Sequence, residues 1–152
     1  MTEDEVASFH EAAHAVVARV CGTDVVNGIK LFSKYKQNKY GANGACLLSV
    51  INVVDNVSRM TIRNRTISIM SGMAAEKILE QPWESIQEHT KGDIDACLEI
   101  TQHLKNPDKY LKTSAKLAHQ IVKEYWEEIQ IVADMLREER HITQEMFYAT
   151  KK

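Results

Sequence analysis

The stretch "FHEAAHAVV", residues 9–17, holds His10, Glu11 and His14 in the order H-E-x-x-H. Around it Val6, Phe9/His10, Ala13, Val17 and Val20 recur every three or four residues, which predicts a helix over 3–21. Thr2 suits its N-cap, Glu3 and Asp4 its first turn, and Gly22 its end. On a helix, positions i and i+4 lie one turn apart on one face. His10 and His14 can therefore aim two imidazoles at one ion, and Zn²⁺ accepts neutral imidazole nitrogen well. Glu11 sits about 100° round the helix from His10. That placement suits a general base that takes a proton from water activated by the metal. The competing reading is two surface histidines on an amphipathic helix. The apolar stripe that carries His10 favours the metal, because a buried imidazole needs partners.

The bulk numbers set a modest frame. The 152 residues suggest one domain over 1–152. Hydrophobic residues make up 44% and charged residues 26%, an ordinary globular balance. The net charge, 19 minus 21, is -2, which gives no pull toward nucleic acid or an anionic membrane. No apolar run approaches the ~20 residues of a membrane span. The acidic start "MTEDEVASFHE" does not read as a signal peptide. Cys21, Cys46 and Cys97 are odd in number and widely spaced, so they read as reduced thiols of a cytoplasmic protein. No phosphate-binding G-x-x-x-x-G-K-[ST] occurs.

Residues 23–54 change character. "VVNGIKLF" and "GACLLSVINVV" are β-prone runs separated by "SKYKQNKYGANG", so a small sheet with a polar loop is expected. Lys34, Lys36 and Lys39 in that loop read as solvated charge rather than a nucleic-acid contact. A second helix is expected over about 56–80, with Val57, Met60, Ile67, Met70, Ala74 and Ile78 inward. "EQPWESIQEHTKG", 80–92, reads as a loop. A third helix is expected from Gly92 or Asp93 to about 104, where Asn106-Pro107 breaks it. One long helix is expected over about 108–139, then a turn at His141 and a short helix near 143–149. The fold class is therefore mainly α (α+β), with a small β-sheet inserted after the H-E-x-x-H helix. Trp83 is expected to cap the core or line a cleft, and Trp126 to pack. Cys46 and Cys97 are expected as small core residues, and His103, His119 and His141 at the surface.

A catalytic zinc needs a third protein ligand and an open position. Glu76, His89, Asp93, Asp95 and His103 are the candidates. Asp93 is preferred, because positions 93, 97, 100 and 104 form one face with Cys97, Ile100 and Leu104. Asp95 shares its face with Glu99 and Gln102. An N-cap role competes for Asp93, and periodicity does not separate the two.

These residues together resemble the peptidase domain of FtsH-type zinc metalloproteases, the membrane-bound AAA+ proteases, and in particular its stand-alone, ATPase-free relatives. The family pattern H-E-A-G-H-A-V-V stands here as "HEAAHAVV", 10–17. A following helix motif stands as "SGMAAEKIL", 71–79, and the aspartate helix as "GDIDACLEITQHL", 92–104. "YWEEIQIVADMLREERHIT", 125–143, resembles the closing helix. Ala13, Met73 and His89 depart from the pattern, which has glycine, arginine and glycine there. The resemblance implies zinc held by His10, His14 and Asp93, with Glu11 as the catalytic base. It gives Glu76 a supporting role, with a ligand role as the alternative. It implies cleavage of flexible or unfolded polypeptide, ATP-independent by this chain itself, with the polypeptide adding as a strand beside 44–50. It makes a homo-oligomer an expectation, and gives no membrane or nucleic-acid partner. Two other functions compete: a non-catalytic zinc-binding interaction module, and a detached peptidase subunit of a separate unfoldase.

Overall fold

A computed structural model describes residues 1–23, 25–32, 44–48 and 58–150. The protein is mainly helical, an α+β fold with a small antiparallel sheet. The order is α1 (Glu3–Val20), β1 (Val25–Leu31), β2 (Gly44–Leu48), α2 (Arg59–Ile78), α3 (Trp83–Thr101), α4 (Pro107–Glu124), α5 (Trp126–Glu139), β3 (His141–Ile142) and α6 (Gln144–Ala149). No helix among the described residues is long and apolar enough to cross a membrane. The polar loop with its three lysines lies outside the described residues, as do Val57 and 49–54.

The first helix is the centre of the fold. Thr2 caps it, its side chain accepting from the Glu5 N–H at 3.1 Å. Gly22 follows it with φ +78°. Every residue from Val6 to Arg19 is buried, because α2, α5, β1 and β2 pack around it. The expected stripe was therefore too narrow, and Val20 at its end is exposed. Small side chains make this enclosure possible: Ala12, Ala13, Ala15 and Ala18 have no exposed surface. The Ser71 hydroxyl of α2 reaches the Ala13 carbonyl at 3.4 Å.

The sheet differs from expectation in its third strand. The order is β2-β1-β3, and the residues read as a turn at His141 form β3. Ile29 faces Ile142 and Lys30 faces His141 across β1 and β3. The sheet is thus not confined to the insertion after α1, since the C-terminal end of the chain completes it. A two-residue strand is too short to leave a period-2 signal. Asn27 and Gly28 take φ 58° and 77°, which bulges β1 and shifts its register with β2 between Val25 and Ile29. A Cβ on Gly28 would lie 2.0 Å from the Ile142 carbonyl oxygen. Gly28→Ala is expected to destabilise the protein by on the order of 3 kcal/mol, read as a lowered urea midpoint with an unchanged slope.

The helical hairpins also depart from the expected boundaries. The loop expected over 80–92 is confined to 80–82: α3 begins at Trp83 behind Pro82 and runs unbroken to Thr101. Its buried positions are Ile86, Thr90, Cys97 and Thr101. Two of the four are threonines, which blurred the apolar period. Their hydroxyls donate to the Ile86 and Cys97 carbonyls, each at 2.7 Å, so they are buried without loss. The expected long helix over 108–139 is two helices, parted at Tyr125 (φ -103°, ψ 22°). The Tyr125 N–H still donates to the Ile121 carbonyl at 2.9 Å, and its carbonyl accepts from Ile129 at 3.0 Å. Neither glycine nor proline marks this break, and the apolar stripe runs through it. Trp126, just beyond, stacks on Phe9 at 5.1 Å. Met60 is exposed rather than inward, and Trp83 is 54% exposed rather than capping the core. The Lys77 ammonium lies 5.5 Å above the Trp83 ring.

Candidate metal centre

Three helices bring the site together. α1 supplies His10, Glu11 and His14, α2 supplies Ser68, Gly72 and Glu76, and α3 supplies His89 and Asp93. The α2 residues are spaced by four and form one row that runs antiparallel to the histidine row of α1. His14 meets Ser68, and His10 meets Gly72 and Glu76.

Both imidazoles are held by their Nδ1 atoms. His14 Nδ1 donates to the Ser68 carbonyl oxygen at 2.8 Å. A carbonyl can only accept, so that nitrogen carries the proton. His10 Nδ1 donates to Oε2 of the fully buried Glu76 at 2.7 Å. A neutral ring protonated at Nδ1 offers a bare lone pair at Nε2. Holding the far nitrogen in this way is how metal-ligating histidines are oriented. Glu76 lies on the Nδ1 side of His10, away from the point where the Nε2 atoms converge. The structure places Asp93 at that point: its Oδ2 is 3.0 Å from His10 Nε2 and 3.2 Å from His14 Nε2. Bonds of about 2.0–2.1 Å to a tetrahedral zinc put neighbouring ligand atoms about 3.3 Å apart, close to this spacing.

Asp93 sits in the middle of α3, not at its start, so an N-cap role is overturned. The inward face drawn for it holds, since Cys97 is buried and Ile100 half-buried, while Asp95, Glu99 and Gln102 are exposed. Asp95 and His103 are exposed, off the inward face that Asp93 shares with Cys97. His89 does reach the site, through Glu76 rather than through Asp93.

Glu11 stands apart from the convergence, its Oε1 4.0 Å from His10 Nε2. Its carboxylate faces a cleft of about 230 Å³, lined also by His14, Asp93 and by Gly44, Ala45 and Cys46 of β2. Cys46 is therefore half-buried at the cleft, not in the core as expected; Cys97 is in the core. A Cβ on Gly44 would approach Glu11 Cγ to 2.9 Å, so glycine lets β2 pass directly over this side chain.

The charges explain what the site can hold. Burial raises the Glu11 carboxyl, and the two nearby imidazoles only partly offset it. Burial works in the same direction on Asp93 and Glu76. There the histidines prevail: His14 and His10 hold Asp93 far below the usual carboxylate range, and His10 and His89 lower Glu76. Burial lowers His10 and His14, yet their carboxylate partners, Asp93 foremost, raise both. Three carboxylates thus outnumber the two buried imidazoles, which calls for positive charge. A divalent ion at the Nε2 atoms would supply that charge. Ligand atoms from His10, Glu11 and His14 lie within 4.8 Å of one another. This buried group can hold a metal ion, and the residues present fit one.

Gly72 is a site residue that sequence reasoning missed. A Cβ there would lie 2.5 Å from His10 Nε2 and 2.6 Å from Cε1. The bare glycine lets α2 press against the ring. Gly72→Ala would gain about 1 kcal/mol of helix propensity, but overpacking costs about 1–3 kcal/mol. Net destabilisation is expected, together with a metal affinity lowered at least about tenfold. Urea unfolding of the metal-free protein and a cobalt titration would check the two effects.

No protein-family model matches the chain, and a search of curated proteins finds no match.

Proposed function

We propose that the chain is a zinc metalloendopeptidase domain of the FtsH-like kind, acting on flexible or unfolded polypeptide. The observation that carries this reading is the position of Asp93. Its carboxylate oxygen completes a three-atom set with two oriented Nε2 atoms, while Glu11 stands just outside that set, facing a cleft. Two imidazoles, one carboxylate and an open side favour zinc over hard ions such as Mg²⁺ or Ca²⁺, which prefer all-oxygen sites.

His10, His14 and Asp93 would hold the ion, and Glu76 and Ser68 would keep the imidazoles aimed. Bound zinc supplies Lewis acidity that polarises a carbonyl and lowers the pKa of water. Glu11 takes a proton from the attacking water at its carboxylate and delivers it to the departing amine nitrogen. Cys46 of β2 lines the same cleft as the Glu11 carboxylate, so β2 walls the cleft beside the base. Among the described residues β2 is an edge strand. An extended peptide adding beside it would be held chiefly by backbone hydrogen bonds. That mode selects unfolded segments over particular sequences.

The test is hydrolysis of casein by the purified protein. Cleavage that stops with chelator and returns with zinc supports the reading. Zinc bound with no cleavage would leave a non-catalytic zinc-binding module, or a subunit that needs an unfoldase. No zinc bound at all would end the metal reading.

A further inference from the structure

Glu76 has no exposed surface, and an unpaired carboxylate buried so completely would be costly. Its two oxygens are divided between two imidazoles. His10 Nδ1 donates to Oε2 at 2.7 Å, and His89 Nδ1 donates to Oε1 at 2.5 Å. The first ring belongs to the metal centre. The second comes from α3, and its side chain is 32% exposed.

We propose that His89 is a positioning residue of the metal centre: it holds the second oxygen of Glu76, and so fixes the carboxylate that aims His10 at the ion. The inference rests on the metal reading given above. A carboxylate anchored at one oxygen can still turn about its last side-chain bond. Anchors on both oxygens fix its plane, and with it the direction from which Oε2 accepts. His89 and Asp93 are also four residues apart on α3, so one helix face supplies both the third ligand and the outer brace. A shift of α3 would therefore move Asp93 and His89 together. An exposed histidine without a role would turn its ring to water, whereas this ring reaches a wholly buried partner.

The expected size follows from its place in the chain of contacts. Partners touching a ligand directly are worth about 10–100-fold in metal affinity. His89 acts one hydrogen bond further out, and water could partly replace it. A loss of roughly 3–10-fold is expected for His89→Ala, smaller than that direct-contact range.

The test uses cobalt in chelator competition, with the thermal midpoint of each metal-free variant recorded beside it. His89→Ala should bind more weakly. His89→Asn, which places an amide N–H near the Nδ1 position, should stay within about twofold of the wild type. In a Glu76→Gln background, His89→Ala should change nothing further. A merely structural role would lower the thermal midpoint without changing affinity. His89→Ala within twofold of the wild type, or equal losses in His89→Ala and His89→Asn, overturns the inference while the metal centre stands. Should Glu76→Gln fail to fold, the alanine and asparagine pair decides alone. A wild-type protein that takes up no cobalt overturns the centre, and this inference with it.

Discussion

Glu11→Gln is expected to keep the metal and to lose hydrolysis by about 10²–10⁴-fold, the usual worth of a positioned general base. Glutamine matches glutamate in shape but accepts no proton at neutral pH. Metal should be retained, because Glu11 lies 4.0 Å from His10 Nε2 while Asp93 lies at 3.0 Å. Folding should not suffer either. Burial already raises the Glu11 carboxyl, so a neutral side chain avoids a desolvation cost. The variant should be at least as thermally stable as the wild type without metal. Metal content, casein hydrolysis and a melting curve on the same preparation check all three parts. Hydrolysis at the wild-type rate would remove Glu11 from the reaction. Loss of zinc together with hydrolysis would make it a ligand.

Asp93→Asn is expected to weaken metal binding by more than about 100-fold, beyond the range that supporting residues reach. It removes the one negative charge that touches both Nε2 atoms, and its amide group can point N–H toward them. Glu76→Gln should fall within about 10–100-fold, since glutamine offers one acceptor where two Nδ1–H groups point. Asp95→Asn should change affinity by less than about twofold, because surface substitutions away from such contacts do little. Competition with a chromophoric chelator would give this order. Equal effects at positions 93 and 95 would overturn the ligand set.

The residues differ in how plainly the sequence speaks for them. His10, Glu11 and His14 are legible because helix geometry alone puts two imidazoles on one face. The small residues from Ala12 to Ala18 signal close packing, yet not that α1 would be enclosed on nearly every side. Asp93 was reachable through the face it shares with Cys97. Its place in mid-helix was hidden, because Thr90 and Thr101 carry the inward period with polar side chains. The Ser68 carbonyl left no trace, since a backbone acceptor is independent of residue type. Gly72 matters for an absent Cβ beside an imidazole, a contact that exists only after α1 and α2 have docked. β3 and the break at Tyr125 were invisible for related reasons: two residues carry no period, and the stripe of α4 runs straight on into α5.

The central claim is that one ion sits among His10, His14 and Asp93, with Glu11 outside its ligand set. The most direct measurement is anomalous diffraction at the zinc edge from crystals grown with zinc. The account predicts one strong peak, about 2.0–2.2 Å from His10 Nε2, His14 Nε2 and an Asp93 carboxylate oxygen. A peak bonded to Cys46 sulfur or to Glu76 in place of Asp93, or no peak among these residues, would contradict it.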